Sequence, residues 1–209
     1  MSCRITVKRY SYRCTVHSCH ACSKACWDVC DGDICAERYV CCPYISRKSK
    51  CERVFIAGFS MGGTLALRLC QIHGNQIEGL MLLNTPIHDR RWFINLTPIL
   101  KYFIPSVKKG PTDIAAPNPP KHSYGRTPLK ALDSLRQLWN ITQRDLYLID
   151  LPIMVAYSIN DHAVDPENSM TVIDNIFSVD IREVIFEKSF HNVPLDFDVD
   201  LLNAESKLF

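Results

Sequence analysis

The sequence has no apolar run of the ~18–20 residues that a membrane-spanning helix needs. Near the N-terminus, Lys8 and Arg9 are not followed by an apolar stretch, so the pattern of a secretory signal is missing and the expected location is the cytoplasm. Charge of one sign is scarce too. The 24 Lys+Arg and 22 Asp+Glu leave a net charge of +2, and no basic stripe compensates. The run Arg47–Lys50 reads as a solvated loop, so no nucleic-acid partner is expected. Internal repeats and low-complexity tracts are absent. What remains is a 209-residue chain, 47% hydrophobic and 22% charged, the balance and size of one globular domain.

Two residue types are unevenly scarce. Gly32 is the only glycine before residue 52, and Cys70 is the only one of 11 cysteines after residue 51. Three readings of residues 1–51 stand open. A disulfide scaffold fits the cysteine density but not the missing secretory signal. A metal site is suggested by Cys19 and Cys22 with His17 and His20 nearby, but no second well-spaced Cys/His pair stands out. Reduced thiols at helical spacing (Cys19, Cys22, Cys26, Cys30) form the third, and no metal is expected.

The composition break divides the chain into an atypical Cys-rich segment, 1–51, and a domain over 52–209. The first carries strand-like runs at Arg4–Tyr12 and Arg38–Ile45. The second alternates strand and helix. Val54–Ala57 predicts a buried strand, Met61–His73 a helix stopped by Gly74, and Gly79–Asn84 a second strand. Residues 88–145 interrupt the rhythm with helical runs Arg91–Phe103 and Leu129–Leu138 around a Pro-rich connector, Pro111–Pro128. An insertion of this kind after a core strand predicts a cap. Strand Pro152–Ser158, helix Pro166–Phe177, strand Glu183–Phe186 and helix Asp198–Phe209 then resume the alternation. The fold class expected is α/β, a mostly parallel sheet with helices on both faces.

Gly58-Phe59-Ser60-Met61-Gly62 stands between a predicted strand and a predicted helix. In that context G-x-S-x-G holds a serine on a tight turn with its hydroxyl exposed, and the helix N-terminus offers N–H groups to a developing oxyanion. A serine hydroxyl needs a positioned base, and the base needs an orienting acid. Asp161 follows the strand ending at Ser158, and His191 follows the strand ending at Phe186, so both fall at C-terminal strand ends. Asp161 as a capping carboxylate and His191 as a solvated loop histidine are the alternatives. Asp165, before Pro166, is the competing acid but suits a helix start. His162 is too near the acid to be the base, and His17, His20, His73, His88 and His122 are not on a late strand end.

Residues 52–209 resemble the bacterial carboxylesterases and monoacylglycerol lipases of the α/β-hydrolase superfamily. The resemblance rests on the run Ala57–Leu67, on Asn160-Asp161-His162-Ala163-Val164, and on Lys188-Ser189-Phe190-His191 followed by Leu195-Asp196. It implies ester hydrolysis through an acyl-serine, a small-molecule acyl ester as partner, no cofactor, and a small helical cap over an acyl pocket. It also implies Met61 N–H as an oxyanion donor, and Trp92, Phe93, Leu96, Ile99 and Leu100 as pocket lining. Ordinary helix packing is the competing reading for these five.

The sequence departs from the family at its start. A His-Gly loop after an early strand normally supplies the second oxyanion donor, whereas the His-Gly pair here, His73-Gly74, follows the nucleophile helix. Residues 1–51 are also short for the usual early strands, which would leave one edge of Val54–Ala57 bare. Either Arg4–Tyr12 and Arg38–Ile45 pair there, or a second chain covers the edge in a homodimer. Alternatively, a reading-frame error upstream of about residue 51 accounts for both the composition break and the missing loop. The alternative to an ester hydrolase is accordingly an impaired, hydrolase-like binding protein or remnant.

Overall fold

The structure, a computed structural model, describes residues 4–7, 10–11, 53–119 and 125–209. Its main sheet has the order β2-β1-β3-β4-β7-β8. The strands are β1 (Arg4–Val7), β2 (Tyr10–Ser11), β3 (Phe55–Phe59), β4 (Gly79–Leu83), β7 (Ile153–Ser158) and β8 (Ile181–Phe186). From β3 to β8 all neighbours are parallel, whereas β1 runs antiparallel to both β2 and β3. The edge of β3 expected to lack a neighbour is thus paired by part of Arg4–Tyr12, in the register Arg4 to Ala57 and Thr6 to Phe55. The run Arg38–Ile45 and the Cys19/Cys22 region lie outside the described residues.

Parallel strands covered on both faces need apolar residues on both, and β7 meets that requirement with every residue buried. Ile153, Val155 and Tyr157 point into one cluster with Ile56, Leu80, Leu82, Leu67 and Val172. Met154 and Ala156 point the other way, to Leu83, Val184, Phe186 and Leu202. The helices divide accordingly. Helix α1 (Met61–His73) supplies Leu67 and α4 (Glu167–Asn175) supplies Val172 to the first face, and α5 (Val199–Leu208) brings Leu202 to the second. Cys70 packs in the first cluster, where burial pushes its thiol pKa up and leaves it a small hydrophobe.

Between β4 and β7 the chain folds around a third apolar cluster of Ile94, Leu129, Leu132 and Trp139, with Phe93, Leu100, Val107 and Leu135 against it. The helical run expected over Arg91–Phe103 is broken. Trp92–Leu96 is a 3-10 turn and α2 restarts at Thr97–Leu100, because Pro98 has no N–H for a continuous ladder but suits a first helical turn. Helix α3 (Leu129–Arg144) runs past the expected Leu138 and buries Trp139 and Thr142 as well. It is tied to α1 by the Arg68–Asp145 ion pair at 2.8 Å and by Gln71 Nε2 donating to the Thr142 carbonyl at 2.7 Å. A hairpin not expected from the sequence, β5 (Ser106–Lys108) with β6 (Arg126–Pro128), closes the connector. Among the described residues no helix is long and apolar enough to cross a membrane.

Candidate active site

Each parallel strand ends by delivering a residue to one rim. Ser60 follows β3, Asn84 follows β4, and the loops after β7 and β8 carry Asp161 and His191. Ser60 has φ 53° and ψ −130°, a conformation that L-residues avoid and that costs roughly 1–3 kcal/mol. The surrounding backbone fixes it. Ser60 N–H donates to the Leu83 carbonyl at 2.8 Å, and Gly63 N–H donates to the Ser60 carbonyl at 2.7 Å.

A G-x-S-x-G turn between strand and helix leads one to expect both flanking glycines to be needed for close approach, and only one of them is. A Cβ on Gly58 would lie 2.4 Å from the Gly62 carbonyl oxygen, so Gly58 is indispensable. A Cβ on Gly62 would meet nothing within 4 Å. The second tight position is Gly63, where a Cβ would fall 1.8 Å from Thr85 Oγ1. The segment after β4 approaches the helix through Thr85 and meets it at Gly63, one residue beyond the motif.

Ser60, His191 and Asp161 come together although 131 residues separate the first two. His191 Nε2 lies 2.9 Å from Ser60 Oγ, and His191 Nδ1 lies 2.7 Å from Asp161 Oδ2. The Asp161 side chain is almost fully buried at 1% exposure, and its other oxygen accepts N–H bonds from Ala163 at 2.7 Å and Val164 at 2.8 Å. A buried carboxylate bonded on both oxygens orients the imidazole so that Nδ1 faces Asp161 and Nε2 faces Ser60. The Phe59 ring, 5.1 Å from the imidazole, packs beside that pair. Met61 opens α1, where amide N–H groups have no intrahelical acceptor.

Asp165, the competing acid, instead caps α4: its Oδ1 accepts from Glu167 N–H at 3.0 Å. Of the apolar residues expected to line a pocket, Phe93 and Leu100 pack in the third cluster, whereas Trp92, Leu96 and Ile99 are exposed. Among the described residues no group of His, Cys, Asp or Glu is arranged to hold a metal.

The structure adds residues that sequence reasoning missed. Asn84, at φ 45°, donates through Nδ2 to the His191 carbonyl at 2.7 Å and accepts from Ser158 N–H at 2.8 Å. Its signal was an asparagine at the end of a strand, the non-glycine residue most at ease at positive φ. Asp196 receives four main-chain N–H bonds, from Ala115 (2.8 Å) and Phe190 (3.0 Å) on one oxygen and from Ala116 and Phe197 (both 2.9 Å) on the other. Burial alone would raise its carboxyl pKa, but these donors outweigh it and hold the group below the usual carboxylate range. Asp198 accepts from Lys188 and Ser189 N–H at 2.9 and 2.8 Å, fixing the start of the His191 loop. No spacing in the sequence points to Asp196 or Asp198 as anchors, because their partners are backbone amides.

Known proteins share this fold. A solved structure reported with LipS and LipT, two metagenome-derived lipolytic enzymes, superposes with a TM-score of 0.77 at 22% identity, covering 83% of this chain and 71% of that one. The fold is therefore that of the α/β hydrolases. The sequence is 29% identical over 164 residues to a thermostable monoacylglycerol lipase of Bacillus sp. (strain H-257), covering 78% of this chain and 64% of the relative. It is 23% identical over 157 residues to a carboxylesterase of Bacillus subtilis (strain 168), covering 74% and 62% respectively. The chain thus spans somewhat less than two thirds of either relative. A family model described as serine aminopeptidase, S33, matches residues 39–198, well over half of the sequence, and the chain belongs to that family of α/β hydrolases.

Proposed function

We propose that this chain is a serine carboxylic ester hydrolase acting on short- to medium-chain acyl esters or monoacylglycerols. The observation that carries the reading is the unbroken hydrogen-bond chain from Ser60 Oγ through the His191 ring to the buried Asp161 carboxylate. His191 Nε2 takes the Ser60 hydroxyl proton as Oγ attacks the ester carbonyl, and Met61 N–H donates to the oxyanion that forms. His191 then gives the proton to the departing alkoxide, leaving an acyl-serine. Water, deprotonated by the same nitrogen, releases the acid and restores Ser60. In this scheme 88–145 is the cap, and its exposed Trp92, Leu96 and Ile99 offer apolar surface to the acyl chain. The Bacillus relatives named as monoacylglycerol lipase and carboxylesterase support an ester as substrate.

A second reading, a hydrolase-like binding protein without turnover, is favoured by one sequence observation: the His-Gly pair stands at His73-Gly74, at the C-terminal end of α1. Losing one oxyanion donor costs about a hundred- to a thousandfold in rate. Labelling of the purified chain by a fluorophosphonate probe, beside Ser60→Ala, separates the two. Labelling lost in S60A supports an activated nucleophile. A series of p-nitrophenyl esters beside aminoacyl anilides then tests ester against aminopeptidase chemistry. Folded protein that neither labels nor turns over any of them moves the binding reading to first place.

A further inference from the structure

The connector after β5 returns to the site at Asp113, whose carboxylate meets both loops that carry the base and its acid. Asp113 Oδ2 accepts from His162 N–H at 3.0 Å and from His191 N–H at 3.2 Å. These N–H groups belong to the peptide unit joining Asp161 to His162 and to the unit joining Phe190 to His191. One oxygen therefore grips the two peptide units attached to the Cα atoms of Asp161 and His191. The other oxygen lies 2.9 Å from His162 Nδ1, and the His162 ring packs edge-on against Phe190 at 4.6 Å. The Asp113 carbonyl accepts from Asn192 N–H at 3.1 Å, on the far side of His191.

We propose that Asp113 is a positioning residue that sets the Asp161–His191 separation, so that the inserted segment fixes the geometry of the triad. The inference rests on the serine-hydrolase reading and deepens it. The segment that bears the carboxylate is itself anchored, because Asp196 clamps the N–H groups of Ala115 and Ala116 two and three residues on and holds Phe190 N–H of the His191 loop with the same carboxylate. Other ties between the two loops lie nearer the sheet, with Ser158 Oγ donating to the Ser189 carbonyl and Asn160 Nδ2 to that of Glu187. They fix the loop bases, whereas Asp113 fixes the ends that bear the reacting groups. Loss of Asp113 would let the 2.7 Å contact between His191 and Asp161 open while the loops stay folded. Misplacement by 1 Å costs about a hundredfold; partial loosening is expected to cost about tenfold.

The test is steady-state hydrolysis of p-nitrophenyl butyrate by the full chain and by D113A, D113E, D113N, D161A and D113A/D161A. D113A and D113E are expected to lower kcat about tenfold with KM within about twofold. D113E keeps the charge but moves the carboxylate by a methylene, so it reads position if D113A does not fold. D113N is expected to retain most activity, since its amide oxygen still accepts both backbone N–H groups and its NH2 faces the His162 ring. Because Asp113 acts through the Asp161–His191 pair, adding D113A to D161A is expected to cost less than about twofold. Wild-type kcat in D113E, an undiminished tenfold loss in the D161A background, or a change confined to KM would overturn the proposal while the triad stands. Wild-type activity in D161A would overturn the triad reading and this one together.

Discussion

The side-chain amide of Asn84 donates a 2.7 Å hydrogen bond to the main-chain carbonyl of His191, 107 residues away. Its amide oxygen at the same time accepts from Ser158 N–H, so one buried side chain at the end of β4 is bonded to the end of β7 and to the loop after β8. The rim of the sheet is thereby cross-braced behind the candidate nucleophile and base.

Asn84→Ala removes both bonds and leaves a buried carbonyl and a buried N–H without partners, at roughly 1–3 kcal/mol for each unsatisfied group. It also places alanine at φ 45°. Asn84→Gly removes the same bonds but accepts that φ, so it is expected to be the more stable of the two variants by about 1 kcal/mol. Urea unfolding of both beside the parent chain checks this. Equal stability of all three would mean that Asn84 braces nothing.

The glycines of the Ser60 turn give a sharper contrast. Gly62→Ala is expected to leave stability unchanged or to raise it by up to about 1 kcal/mol, since nothing lies within 4 Å of the added Cβ and alanine favours a helix. Gly63→Ala drives a Cβ to 1.8 Å from Thr85 Oγ1, and Gly58→Ala drives one to 2.4 Å from a backbone oxygen. Neither is expected to fold at 37 °C, because the first clashes with the stiff, β-branched Thr85 side chain and the second with backbone, and neither can give way. Thermal unfolding of the three variants is the measurement, and a stable G63A would refute the packing account.

What the sequence revealed depended on whether the signal was local. The tight strand-to-helix turn at Ser60 was legible because glycines, strand and helix fall within a few residues. Helix α1 was bounded correctly at Met61 and His73 for the same reason. That Asp161 and His191 meet Ser60 was legible through chain order and strand ends, which topology carries over long separations. The hairpin of β5 and β6 was not, because its strands have three residues each and lie on either side of a long connector. Pro98 inside Arg91–Phe103 was a local sign of a broken helix that the apolar spacing around it masked. Asp113 escaped notice, and Asp196 entered only within a matching motif and without its anchoring role, because a carboxylate that binds backbone amides leaves no partner residue type to search for.

The pocket-lining expectation divides into two experiments. Phe93→Ala and Leu100→Ala each remove part of the third cluster, and each is expected to cost about 2–4 kcal/mol of stability. Trp92 and Ile99 are 75% and 63% exposed, so Trp92→Ala and Ile99→Ala are expected to stay within about 0.5 kcal/mol of the parent. If these two meet the acyl chain, they will raise KM for long esters more than for short ones. An ester-length series with both pairs of variants decides it: a KM independent of chain length in W92A and I99A would remove them from the substrate path.

Acid should loosen the same rim that Asp196 holds together. The folded Asp196 carboxyl sits below its ordinary value, as do those of Asp133 and Asp145. For Asp133, burial alone would raise the value, and hydrogen bonds from Lys101, Arg136 and Thr97 outweigh it. For Asp145 the leading cause is the hydrogen bond from Arg144, opposed by burial and aided by Arg68. A group depressed in the folded state is ionised there while its unfolded counterpart still binds a proton, so unfolding takes up protons on acidification. Its stabilisation is complete above the unfolded value near 4 and is lost as pH falls from there through the folded value. Urea unfolding is therefore expected to show stability falling steadily from about pH 5 downward. Asp196→Asn halves the acceptors available to four N–H groups, so it is expected to be less stable at pH 7 and less sensitive to acid. A D196N curve parallel to that of the parent between pH 7 and 3 would show that Asp196 is not among the groups that make this protein acid-labile.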